Sequence, residues 1–195
     1  MRLWVALRMT IVLAVLTGLV YPLAIAEIGH ALFPFQADGS LVRRGGAIVG
    51  SSLIGQNFSA PRYFQGRPSA AGDKGYDADA SGGSNLGPTN KALATAVAAR
   101  VRELRERNPG ATAAPVDLVT ASGSGLDPEI SPAAAALQIP RVAKARGLGE
   151  DAIQALVRAN TRPRFLGLFG EPGVNVLMLN LALDRLRPGG RPTGS

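Results

Sequence analysis

Residues 81–89, Ser-Gly-Gly-Ser-Asn-Leu-Gly-Pro-Thr, hold the glycine spacing of a phosphate-binding loop, with Gly82, Gly87 and Thr89 in register. Such a loop cradles phosphates on backbone N–H groups and carries a lysine that reaches them. Pro88 stands at the lysine position and supplies neither an ammonium nor an N–H. The residues before the loop, DKGYDADAS, cannot form the buried strand that a P-loop follows. A glycine turn at a helix N-terminus is favoured, with Pro88 in the helix's first turn. Free N–H groups at that terminus could still hold an anion, which leaves as an alternative function a nucleotide-binding regulator using the Gly82 to Thr89 turn.

Other chemistries fail on specific positions. Asp77, Asp79, Ser81 and Gly82 imitate a calcium loop, but Pro88 stands where its bidentate glutamate belongs. The run DKGYD (73–77) has the outline of the D-K-T-G-T phosphorylation motif without its threonines, and reads as solvated loop. Around Ser122 and Ser124 the G-x-S-x-G elbow fails twice. Asp127 and Glu129 are as well explained as helix N-terminal charges. A single histidine, His30, rules out sites needing two imidazoles, and no Ser-His-Asp set is available. With no cysteine there are no disulfides and no thiolate metal sites. No catalytic group and no metal site is expected. The formal charge of +7 is spread along the chain and aromatics are only 5%, which disfavours nucleic-acid binding.

The elements that would position these loops begin with Met9 to Ala26, eighteen residues without a charge. As a helix this run covers about 27 Å, close to the hydrocarbon thickness of a bilayer. Pro22 is tolerable in a membrane helix and should kink it. The alternative is a signal peptide cut after Ala24-Ile25-Ala26, releasing a free exported binding protein; the length of the run favours an uncleaved anchor. Arg2 and Arg8 precede the apolar run, whereas Glu27, His30 and Asp38 follow it before Arg43. The positive-inside rule then places residues 1–8 in the cytoplasm, a transmembrane helix over 9–28, and a soluble extracytoplasmic (periplasmic) domain over 29–195.

That outer domain reads as α+β. Residues 41–65 read as irregular or short-stranded, and 63–88 as a long loop of the kind usually functional or pinned. Leu93, Val97, Val101 and Leu104 fall on one helical face within Thr89 to Arg107. Val116 to Ala121 reads as a buried strand. Ser131-Pro132 starts another helix as N-cap and first helical residue, and Pro140 should kink or split it. Glu150 to Asn160 is a third helix with Ile153, Leu156 and Val157 inward. The last element, GVNVLMLNLALDRL, is apolar nearly all round, so it is central or packs on a partner.

In chain order, YFQGRPSA, SGGSNLGPTN, VTASGSGLDPEISPAAA, RVAKARG and GEPGVNVLMLNLALD resemble the C subunits of Kdp potassium-transporting P-type ATPases, from the hydrophobic N-terminus to Asp184. The resemblance implies an accessory, non-catalytic subunit of an ATP-driven potassium importer in the inner membrane. Its partners would be a channel-like A subunit, an ATP-hydrolysing B subunit and a small F subunit. It further implies a catalytic chaperone that raises the B subunit's affinity for ATP. No cofactor would be bound firmly, with ATP reached through the complex. Nucleotide-binding or docking residues would then lie in the two glycine stretches. These are Ser81, Gly82, Gly83, Ser84, Asn85 and Gly87 in the first, and Ser122, Gly123, Ser124, Gly125 and Asp127 in the second.

Overall fold

A computed structural model describes residues 2–186, and the chain divides after Ser51 into two compact units. The basic tail beginning at Arg185 continues outside the described residues.

The first unit opens with one helix over Arg2–Leu32, long and apolar enough to cross a membrane, with none of its most apolar window buried. It comprises α1 (Arg2–Val15), a π turn (Leu16–Val20) and α2 (Tyr21–Leu32). The π turn ends at Val20, two residues before Pro22, and the Tyr21 N–H reaches back to the Leu16 carbonyl. A proline has no N–H and crowds the carbonyl four residues earlier, here that of Gly18; widening the preceding turn relieves both problems. A single turn, α3 (Pro34–Ala37), leads to an antiparallel hairpin, β1 (Leu41–Arg44) and β2 (Ala47–Ser51), with a bulge between Val42 and Arg43. Gly45 and Gly46, with φ of 57° and 83°, make the two-residue turn that right-twisted strands prefer.

The second unit is α+β. Its long loop holds one 3-10 turn (Ala78–Ala80) before α4 (Lys91–Arg107). The helix begins at Lys91 rather than near Pro88, because Asn90 caps it by accepting from the Ala92 N–H at 2.8 Å. Leu93, Val97, Val101 and Leu104 share its half-buried side.

The expected strand at Val116 to Ala121 is instead a helical turn, α5 (Val116–Val119), entered through Pro115. It buries Leu118 and Val119 and leaves Val116 exposed. A short apolar run fits a buried strand or a buried helical turn equally well. Here Asp117 decides: its carboxylate accepts from Ser131 N at 2.6 Å and Ser131 Oγ at 3.2 Å, pinning the turn to the next helix.

After β3 (Glu129–Ile130), α6 (Pro132–Arg146) starts as expected, Ser131 Oγ accepting from Ala134 N at 3.0 Å. Pro140 does not split α6, which runs on to Gly147 in the left-handed conformation. Then follow α7 (Glu150–Ala159), β4 (Thr161–Arg162), β5 (Gly173–Asn175) and α8 (Val176–Asp184). The three strands form an antiparallel sheet in the order β3-β5-β4. The core joins Ile139, Val142, Ile153, Val157, Leu179 and Leu183 from α6, α7 and α8 to Ile130 and Val174 of the sheet and Phe64 of the loop. Of the two readings its sequence allowed, the last helix takes the central one.

Candidate functional site

The fold brings the two glycine stretches together. Gly82 N donates to the Ser124 carbonyl at 2.9 Å, and Ser81 Oγ donates to the same oxygen at 2.9 Å. A Cβ on Gly83 would stand 2.8 Å from the Gly123 carbonyl oxygen. Gly125 is tighter still. It is buried at φ 68°, and a Cβ there would meet the Gly82 oxygen at 2.6 Å and Ala71 Cβ at 2.7 Å. Both glycines are thus required by approach, and Gly125 by backbone conformation as well. Ser122 is buried and its carbonyl accepts from Gly125 N, while Ser124 Oγ accepts from Leu126 N. Ser84, Asn85 and Gly87 are exposed, with Asn85 at φ 51°.

Asp127 links this contact to the long loop. Its carboxylate accepts from Arg67 Nη1 at 2.9 Å and from Glu129 N at 3.0 Å. Ser69 Oγ donates to the Gly125 carbonyl at 2.6 Å and accepts from Tyr76 N at 2.7 Å. Tyr76 has φ 57° and donates its hydroxyl to the Arg67 carbonyl at 2.6 Å. Its ring occupies the space that side chains on Gly55 and Gly66 would need. Burial, reinforced by the Asp127 charge, pushes the Tyr76 hydroxyl up to about 12.

Beside this layer lies a polar cleft of about 490 Å³ lined by Gln65, Arg67, Lys74, Arg100, Arg107 and Gln138, among others. No residue of either glycine stretch lines it. Arg107 is paired with Glu103 at 2.6 Å, and Arg67 Nε is buried without an acceptor. The cleft is of mixed charge, since Asp73 and Glu103 also line it and Arg67 is held by Asp127, while the glycine loops offer only backbone turns.

A set of polar residues not singled out by sequence reasoning fixes the start of the long loop. Asn180, buried in α8, bonds Phe64 N and Phe64 O at 2.9 Å each. Gln138, buried in α6, does the same for Gln65 at 2.8 and 3.1 Å. Each side-chain amide therefore replaces a neighbouring strand for one residue of the loop. Arg141 spans the Pro61 and Tyr63 carbonyls, Asn108 Oδ1 and Gln138 Oε1; burial, with Arg107 nearby, lowers its pKa to about 10. Arg146 pairs with Asp184 at 2.9 Å and covers the Tyr63 ring, while Tyr63 Oη donates to the same carboxylate at 3.2 Å. The available signal was Asn180 and Asp184 interrupting an otherwise apolar run.

Comparison with known proteins identifies the family. A model of the KdpC family, described as the K+-transporting ATPase c chain, matches residues 3–185. The chain is 60% identical over 183 residues to the potassium-transporting ATPase KdpC subunit of Sorangium cellulosum (strain So ce56), covering 93% of this chain and 96% of that one. It is 60% identical over 180 residues to the subunit of the same name from Variovorax paradoxus (strain S110), covering 92% and 93%. For the namesake of Rhodopseudomonas palustris (strain BisB5) the identity is 58% over 190 residues, covering 92% and 94%. With the match running through the apolar N-terminal helix, both glycine loops and the α8 amide, the chain belongs to the KdpC family of potassium-transporting ATPase subunits.

Proposed function

We propose that the chain is a non-catalytic subunit anchored in the inner membrane by its N-terminal helix, whose extracytoplasmic domain, 29–195, docks on the A, B and F subunits of the potassium pump. The observation that carries this reading is the mutual satisfaction of the glycine loops. Ser124 O takes the Gly82 and Ser81 donors, and the helix after the loop is capped by Asn90. The loops are connectors that hold a rigid surface, not a cradle for phosphate. Orientation rests on Arg2 and Arg8 preceding the apolar run while its far flank begins with Glu27. A catalytic-chaperone effect on ATP affinity is exerted through subunit contact, with no nucleotide held firmly by this chain.

Titrating the detergent-solubilised chain with Mg–ATP tests this reading. No saturable binding is expected below millimolar nucleotide, while adding the chain to the pump should lower the pump's KM for ATP. Micromolar binding to the chain alone would support the alternative, a nucleotide-binding regulator. One observation favours nucleotide binding, though in the cleft rather than in the Gly82 to Thr89 turn: Lys74 and Arg100 line it beside Arg67, paired with Asp127, and Arg107, paired with Glu103. Lys74→Ala with Arg100→Ala should then abolish binding, whereas substitutions in the Gly82 to Thr89 turn should not do so directly.

A further inference from the structure

Between β4 and β5 the chain forms a small hairpin whose tip is apolar and exposed. Phe165, Leu166, Leu168 and Phe169 are 67%, 74%, 75% and 63% accessible. No other stretch of the described second unit exposes so many large apolar side chains so close in sequence. The tip is nevertheless ordered. Phe165 and Phe169 exchange both backbone hydrogen bonds at 2.9 Å, and Gly167 N donates to the Arg164 carbonyl at 3.1 Å. Leu166 is held at φ 52°, an unfavourable conformation for a side chain of its size, and the hairpin keeps it facing outward. At the neck, Arg164 pairs with Glu171 at 2.6 Å, and Arg162 grips Glu129 of β3 through two bonds at 3.0 and 2.6 Å.

An ordered apolar tip of this kind costs hydration unless something covers it. Charge at the neck separates the two kinds of cover. A segment that lies on a bilayer presents unbalanced Lys or Arg to anionic headgroups. Here each neck arginine is matched by a glutamate, so the collar is neutral. An apolar centre of aromatic anchors inside a rim of balanced charge is instead the anatomy of a protein interface. We propose that Phe165–Phe169 is a docking knob that enters an apolar pocket on a neighbouring subunit of the potassium-transporting ATPase. The proposal rests on the accessory-subunit reading above and adds the surface used.

The test uses the full chain in membranes that contain the whole pump. Phe165→Ser combined with Phe169→Ser should reduce the amount retained on the purified complex by roughly tenfold or more, as loss of two interface anchors does. Its thermal transition should match that of the unaltered chain, since both side chains are exposed. In parallel, p-benzoylphenylalanine in place of Leu168 should give a photo-adduct with a polypeptide subunit of the pump. Equal retention of the double variant, or adducts with phospholipid only, would overturn the knob while leaving the accessory role intact. Failure of the unaltered chain to be retained would overturn both.

Discussion

At the scale of single residues, the most consequential side chains are amides and glycines. Asn180→Leu keeps the volume but strips partners from Phe64 N and Phe64 O, both buried. Each unmade bond costs about 1–3 kcal/mol, so urea unfolding should show a loss of about 2–6 kcal/mol. An unchanged midpoint would mean the amide is dispensable. The glycines give a paired test. Gly125→Ala places a Cβ against the Gly82 oxygen and Ala71 at φ 68°, whereas Gly123→Ala meets nothing within 4 Å. The first should destabilise by more than about 1 kcal/mol and the second should be near neutral, judged by thermal melts. Tyr76 adds a pH signature. Its pKa is raised from 10.0 to about 12, so its stabilisation is complete below pH 10 and is lost as pH rises towards 12. Tyr76→Phe should flatten the fall of stability across that window relative to the unaltered chain; identical pH profiles would contradict the burial argument. Sequence showed that these glycines make turns, but not that the turns face each other. Asn180 and Phe64 are 116 residues apart, and nothing local to either names the other.

At the scale of elements, local chemistry was legible wherever it is self-contained. Ser131 followed by Pro132 carries its own N-cap and first-turn logic, and α6 starts there. The single faces of α4 and α7 likewise follow from spacing alone. Tertiary partners decided the rest. Val116 to Ala121 lacks length and alternation, so Asp117 reaching Ser131 selects a helical turn over a strand. Pro140 leaves α6 unbroken because burial of Gln138, Ile139, Val142 and Ala143 holds both sides of it to the core. Pro22 is absorbed by the π turn before it. Ser131→Ala removes the cap on Ala134 N and one of Asp117's two donors. It should cost about 1–2 kcal/mol by chemical denaturation. A loss within about 0.5 kcal/mol, as at an ordinary surface site, would show that the cap does not hold α5 and α6 together.

At the scale of the whole molecule, membership of the KdpC family places the chain in a potassium pump, and the Arg2–Leu32 helix gives it the means to stay in the membrane. As the proposed anchor, such a helix would confine the domain beside its partners and raise its effective concentration there. Residues 33–195 alone should therefore be recovered with the pump far less than the full chain. Full retention of the truncated chain at ordinary salt and detergent would assign assembly to the domain surface alone.

The side of the membrane on which that surface lies is the claim most open to direct measurement. The chain has no cysteine, so Val116→Cys, at a position 69% exposed in the second unit, supplies one unique thiol. If the domain faces outward as proposed, intact spheroplasts expressing this variant in the assembled pump should react with a membrane-impermeant maleimide as fully as lysed ones do. Reaction only after lysis would put the domain in the cytoplasm, bring ATP within its reach, and contradict the account at its centre.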